Sequence, residues 1–217
     1  MTEKPRIIYQ APSEGIFTIS GVVYRGKTET YQLSEKMTPE IAQDKLSELY
    51  ETEKQKGNPH PTDAPLIWAI ASRAYELRDE AQESEKLRQF LRQGFRQCPN
   101  TLTRVVYNHS ESDKVIHNHG TSDEYFLNEN VVGADGWIKD ISDKQVLESL
   151  IGTQDINKIN NVSQWFNDTD SSLWRLNKKP NKKDERVLRF DADSDRLILS
   201  CDWYPSGRFP AFRVIKG

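Results

Sequence analysis

An α+β fold is what this sequence predicts, and three observations carry the prediction. Strand-like segments open the chain, amphipathic helical segments follow them, and strand-like segments return around two further short helices. Nowhere do strand and helix alternate with the regularity of a doubly wound parallel sheet. The expected architecture is an N-terminal β-meander plus helical hairpin over residues 1–98, then a β-rich mixed part with two short inserted helices over 99–217, the two free to pack as one domain.

The elements follow in order. "RIIYQ" is short and apolar, "GIFTISGVVYRG" is rich in β-branched and aromatic residues, and "ETYQL" alternates, so residues 6 to 34 read as strands. Thr38 as N-cap, Pro39 in the first turn and Glu40 beside the helix dipole predict a helix start. Ile41, Ala42, Leu46, Leu49 and Tyr50 share one face, and Gly57 ends it. "GNPHPTD" reads as a turn because its prolines cannot continue a helix. Asp63 caps the next helical pattern, whose stripe of Leu66, Ile70, Ala74 and Leu77 resumes at Leu87, Leu91 and Phe95 after a polar interval, giving one long helix or two broken near Ser84. "CPN" at 98–100 is the candidate boundary.

Beyond it, "TRVVY", "KVIHNH", "EYFL" and "NVVG" read as strands between turn-forming residues. Ser142 with Gln145 forms a capping box ahead of Val146, Leu147, Leu150 and Ile151, and Gly152 stops that helix. "DINKINNVSQWF" supplies a second short helix, and "SLWRL", "RVLRF", "RLILSCDW" and "AFRVI" return to strands.

Composition narrows the class of protein. With 35% hydrophobic and 29% charged residues the chain is polar, yet five Trp, eight Tyr and eight Phe supply enough burial to offset ordering entropy. A net charge of −3 gives no long-range attraction to nucleic acid or anionic lipid. Cys98 and Cys201 form no pairing motif, so reduced thiols are expected. No apolar run approaches a membrane span and no leader is visible at the N-terminus, which points to a soluble cytoplasmic protein without membrane partners.

The most reactive-looking stretch is "VIHNHGTSDE". In an extended segment His117 and His119 project from the same face, and Glu124, Asp123 or His109 could complete a divalent metal site with one position open for water or substrate. The spacing H-x-H-x-x-x-x-E also resembles part of the first cupin motif, which in that family of small β-barrels supplies metal ligands. The resemblance implies His117, His119 and Glu124 as ligands. It covers eight of 217 residues, with Glu111 where the motif has a glycine and no histidine after His119 for the fourth ligand. The alternative is a polar strand end and turn whose Asn, Thr, Ser and Asp satisfy their own backbone.

Three further segments compete. "DADSDRLILSCD" spaces aspartates like an EF-hand loop, but Arg196 stands where the loop needs Gly, and a hairpin accounts for the same residues. "RLNKKPNKKDER" clusters Arg175, Lys178, Lys179, Lys182, Lys183 and Arg186 beside Trp174, a pattern suited to phosphate contacts and base stacking. "CDWYPSGRFPAF" gathers Trp203, Tyr204, Arg208 and Phe209 around a turn, as a partner surface or as core. No GxSxG, phosphate loop or dinucleotide fingerprint occurs.

The expected function is therefore a non-catalytic binding or regulatory protein with an unspecified protein or small-molecule ligand and no cofactor. It would act through a groove between the two parts or through the aromatic C-terminal hairpin. The alternatives are a hydrolase or oxygenase using a His117, His119 and Glu124 metal, and a nucleic-acid-binding protein using residues 175–186.

Overall fold

The computed structural model describes residues 6–10, 15–80 and 83–217. The N-terminal residues 1–5, read above as carrying no leader, and positions 81–82 of the polar helix interval lie outside the described residues. The architecture is α+β, built on two sheets.

The meander forms as the alternation requires: β1 (Ile7–Gln10), β2 (Ile16–Tyr24) and β3 (Lys27–Ser34) pair antiparallel in sequence. Arg25 and Gly26 join β2 to β3 at φ 51° and 71°. A two-residue turn with both φ positive matches the twist of the flanking strands. The C-terminal strand β12 (Arg213–Lys216) then pairs with β3, and the two-residue strand β4 (His60–Pro61) pairs with β12 at the far edge. "GNPHPTD" is thus more than a turn, and Pro61 sits where a missing N–H costs least, on an edge strand.

The second sheet has seven strands in the order β7-β6-β5-β10-β11-β9-β8. These are β5 (Asn100–Tyr107), β6 (Asp113–His117), β7 (Tyr125–Glu129), β8 (Gly136–Trp137), β9 (Ser171–Trp174), β10 (Asp184–Ala192) and β11 (Leu197–Trp203). All neighbours are antiparallel except β9 and β11. "NVVG" forms no strand. The amides of Val131 and Val132 go instead to the buried carboxylate of Asp113.

Five α-helices fill the layers among the described residues: α1 (Gln43–Gln55), α2 (Ala64–Glu76), α3 (Ser84–Phe95), α4 (Gln145–Ile151) and α5 (Ile156–Asn167). The helical hairpin is two helices with the break before Ser84. α1 begins later than its capping pattern suggests, because Thr38 and Ile41 pair with Ala211 and Phe209. Their backbone donors are spent on that tertiary pairing, which overrides the local start signal. α4 likewise starts at Gln145 without a side-chain cap and ends at Gly152 in the left-handed conformation, φ 77°.

One buried apolar cluster unites the molecule. It includes Phe17, Ile19 and Leu33 of the first sheet, Trp68 and Phe95 of the helices, and Val105, Phe190 and Leu199 of the second sheet. Residues from both sides of position 98 share it. A satellite cluster of Leu46, Tyr50, Leu102 and Ala211 seats α1. No helix among the described residues is long and apolar enough to cross a membrane.

Candidate functional site

Two clefts adjoin at the β2–β3 turn, and Tyr24 and Arg25 line both. The first, about 490 Å³, lies between α2 on one side and β6, β7 and α4 on the other. Its walls therefore come from both halves of the chain. Pro65, Trp68 and Ala69 face it from α2, His117, Tyr125 and Leu127 from the strands, and Glu148 and Ile151 from α4. Val23 and Leu127 leave exposed apolar surface at this cleft. Trp68 is buried, and its indole nitrogen has no hydrogen-bond partner. An unpaired buried donor costs about 1–3 kcal/mol and calls for an explanation.

Asp63 organises the seam between the clefts. As N-cap of α2 it accepts from the Leu66 amide at 3.0 Å, and its other oxygen accepts from the hydroxyls of Tyr24 at 2.6 Å and Tyr125 at 3.3 Å. The carboxylate is fully buried. Burial first, and the Asp63 charge second, push both phenols above their ordinary range, so they remain donors at any physiological pH. The exposed Arg25 guanidinium lies 4.0 Å above the Tyr125 ring at the cleft.

The second cleft, about 370 Å³, opens beside α1 and the edge of the first sheet. Tyr31, Tyr50 and His60 give it aromatic walls, with the His60 ring centroid 4.3 Å from that of Tyr50. Burial lowers the His60 pKa, and its Nδ1 lies 3.1 Å from the Pro61 carbonyl, which places the proton there and leaves Nε2 an acceptor. Asp123 accepts from the Tyr50 hydroxyl and pairs with Lys54 at 2.7 Å. Asn118 also lines the cleft, buried, with its amide oxygen unpartnered.

The histidines of "VIHNHGTSDE" part company. β6 ends at His117, and Asn118 turns left-handed at φ 51°, so the alternation that would align the two rings is broken. His117 is 1% exposed. Its Nε2 donates to the Ser149 carbonyl at 2.9 Å and its Nδ1 accepts from the Thr103 hydroxyl at 3.0 Å, while burial lowers its pKa. Both nitrogens are occupied and the ring is neutral.

His119 meets Glu124 at 3.2 Å, and burial followed by the Arg104 charge lowers its pKa. Glu124 also accepts from the Gly120 amide, as a loop cap would. His109 contacts the Pro180 carbonyl at 3.0 Å. Of the five candidate ligands, only His119 and Glu124 are brought together, and Asp123 is engaged by Tyr50 and Lys54. Among the described residues no group of three His, Cys, Asp or Glu side chains is placed to hold a metal ion.

The basic segment is largely consumed internally. Arg175 donates to the Ala134 and Val131 carbonyls, Lys179 to Glu111, Lys183 pairs with Glu185, and Arg186 pairs with Asp184 beneath the Tyr204 ring. Lys178 and Lys182 remain exposed in the loop. The aspartate-rich segment is the β10–β11 hairpin, closed by Asp193 accepting from the amides of Asp195 and Arg196.

The aromatic turn divides its residues. The buried Arg189 guanidinium lies 3.6 Å from the Trp203 ring centroid and 4.0 Å from that of Phe209, two rings set edge to face, while Trp203 itself, Tyr204 and Arg208 are exposed. Both cysteines are free. Burial and the neighbouring Asp191 carboxylate, which accepts from its thiol, raise the Cys98 pKa to about 12.

Sequence reasoning missed Tyr24, Tyr125, His60 and Trp68 as cleft residues. It assigned Asp63 only a capping role. His60 between two prolines was the one local signal, since a histidine in a proline-rigidified segment is held in place. Comparison with protein-family models, curated proteins and solved structures finds no match.

Proposed function

We propose that this is a non-catalytic binding protein that takes a small amphipathic ligand in the first cleft. The observation that carries the reading is the Trp68 indole N–H, buried in the cleft wall without an acceptor. An indole can only donate, so a ligand oxygen or nitrogen is the partner that completes it. The volume suits a small molecule, and concave sites with apolar walls and few polar groups are the usual form of such sites.

The state of the acids and bases favours docking over turnover. Glu76 is held by Arg73 at 2.8 Å and Lys158 at 2.6 Å, His117 is bonded through both nitrogens, and the two tyrosines are tied to Asp63. A general acid or base needs a free proton site facing the substrate, and the polar atoms of these groups are engaged within the protein. Arg25 and Glu148 enter no ion pair among the described residues, and they are the charges a ligand can engage.

The test uses 8-anilinonaphthalene-1-sulfonate, whose rings suit the walls and whose sulfonate accepts from the indole. The expected result is saturable one-to-one fluorescence enhancement of the folded protein, abolished by Ala69→Trp, which fills the cleft, and weakened by Trp68→Phe. Enhancement unchanged in both folded variants, or none in the wild type, overturns the reading.

A further inference from the structure

We propose that the second cleft is a distinct site for a nucleoside monophosphate. It shares Tyr24 and Arg25 with the first cleft but stands on its own observations. The unpartnered oxygen of Asn118 is buried at the cleft, in a residue that is 7% exposed. It requires a donor, and the same amide offers N–H donors beside it. An adjacent donor and acceptor in one plane is the pattern by which an Asn side chain reads the edge of a nucleobase.

The walls fit the face of such a base. Tyr31, Tyr50 and His60 present aromatic surface, and base–aromatic stacking is favourable for every base. The charges fit the phosphate: Arg25, Lys54 and Lys216 line the cleft against the one carboxylate of Asp123. Lys54 is neutralised by Asp123 and Lys216 by Glu29, so Arg25 is the cation left for a phosphate. It is exposed at the β2–β3 turn, where a charged group can stay partly solvated while the base is enclosed.

Calorimetric titration of the full chain with the four common ribonucleoside monophosphates, the matching nucleosides and inorganic phosphate tests the proposal. Saturable binding of at least one monophosphate is expected, tighter than that of phosphate alone. Asn118→Gly tolerates the left-handed backbone and should weaken that binding about tenfold, the worth of one good base-edge pairing. Arg25→Asn should weaken the monophosphate while leaving the nucleoside nearly unchanged. Absence of binding by all four at millimolar concentration overturns the proposal, as does binding indifferent to both folded variants. Phosphate alone binding as tightly as the nucleotides overturns base recognition. If Asn118→Gly does not fold, the wild-type titration and Arg25→Asn still decide.

Discussion

Two carboxylates in this molecule each hold a tyrosine hydroxyl, and their surroundings give them opposite weight. Asp63 is fully buried at the head of α2 and accepts from one amide and two phenols. Asp123 has a side chain 49% exposed and divides its charge between Tyr50 and Lys54. Water can replace the partners of Asp123 when they are removed; the Asp63 carboxylate itself is sealed from it. The bond type is the same, so access of solvent decides which knot fixes the fold and which one trims a surface.

The largest effect should follow from breaking the inner knot. Asp63→Ala removes an N-cap worth about 0.5–2 kcal/mol and strands two part-buried phenols at roughly 1–3 kcal/mol each. Allowing for relaxation, a loss of about 3–5 kcal/mol in urea unfolding is expected. Both clefts should lose their ligands together, because Tyr24 lines each. A loss under about 1 kcal/mol would mean that water enters the seam and that the contrast between the knots is false.

A second contrast sharpens the first, between buried His117 and its partly exposed neighbour His119. Burial holds the folded pKa of His117 below its unfolded value. The unfolded chain therefore binds the proton first, so the stabilisation is complete above about pH 6.5 and is lost as pH falls toward the folded value. The slope reaches at most about 1.4 kcal/mol per pH unit for one such group. Urea midpoints measured between neutral and mildly acid pH should fall, and His117→Gln should flatten that fall while costing about 2 kcal/mol at neutral pH through its two lost bonds. His119→Gln should leave most of the slope in place, since its shift is opposed by Glu124 and its side chain is 25% exposed.

What could be read from the sequence divides along the same line between local and non-local causes. Asp63 before Ala64 and Pro65, Gly152 after Ile151, and the alternation of β2 and β3 are local patterns, and each produced its element. The late start of α1 and the loss of "NVVG" as a strand were not legible, because Ala211 and Asp113, distant in sequence, claim those backbone groups. The site was less legible than the fold. Tyr24, Asp63 and Tyr125 stand 39 and 62 positions apart and meet only once the two sheets enclose α2. The histidine pair drew attention by proximity in sequence, and one residue, Asn118 in the left-handed conformation, separates its members.

The smallest effect belongs to the outer knot, and its salt dependence is the sharper measurement. Asp123→Asn keeps an acceptor for Tyr50 while removing the charge that holds Lys54. An exposed pair of this kind contributes about 0.2–1 kcal/mol, and the gain is screened as ionic strength rises. Wild type and variant should therefore differ measurably in dilute buffer and converge at molar salt. The phenol would pull the other way, since loss of the neighbouring carboxylate relieves one of the causes that hold Tyr50 above its ordinary pKa, leaving burial as the principal one. Ultraviolet titration should thus show the Tyr50 phenol ionising at lower pH in Asp123→Asn than in the wild type. An unchanged titration would place the shift on burial and the Glu51 and Asp63 charges, and the outer carboxylate would then be as dispensable to its tyrosine as it is to the fold.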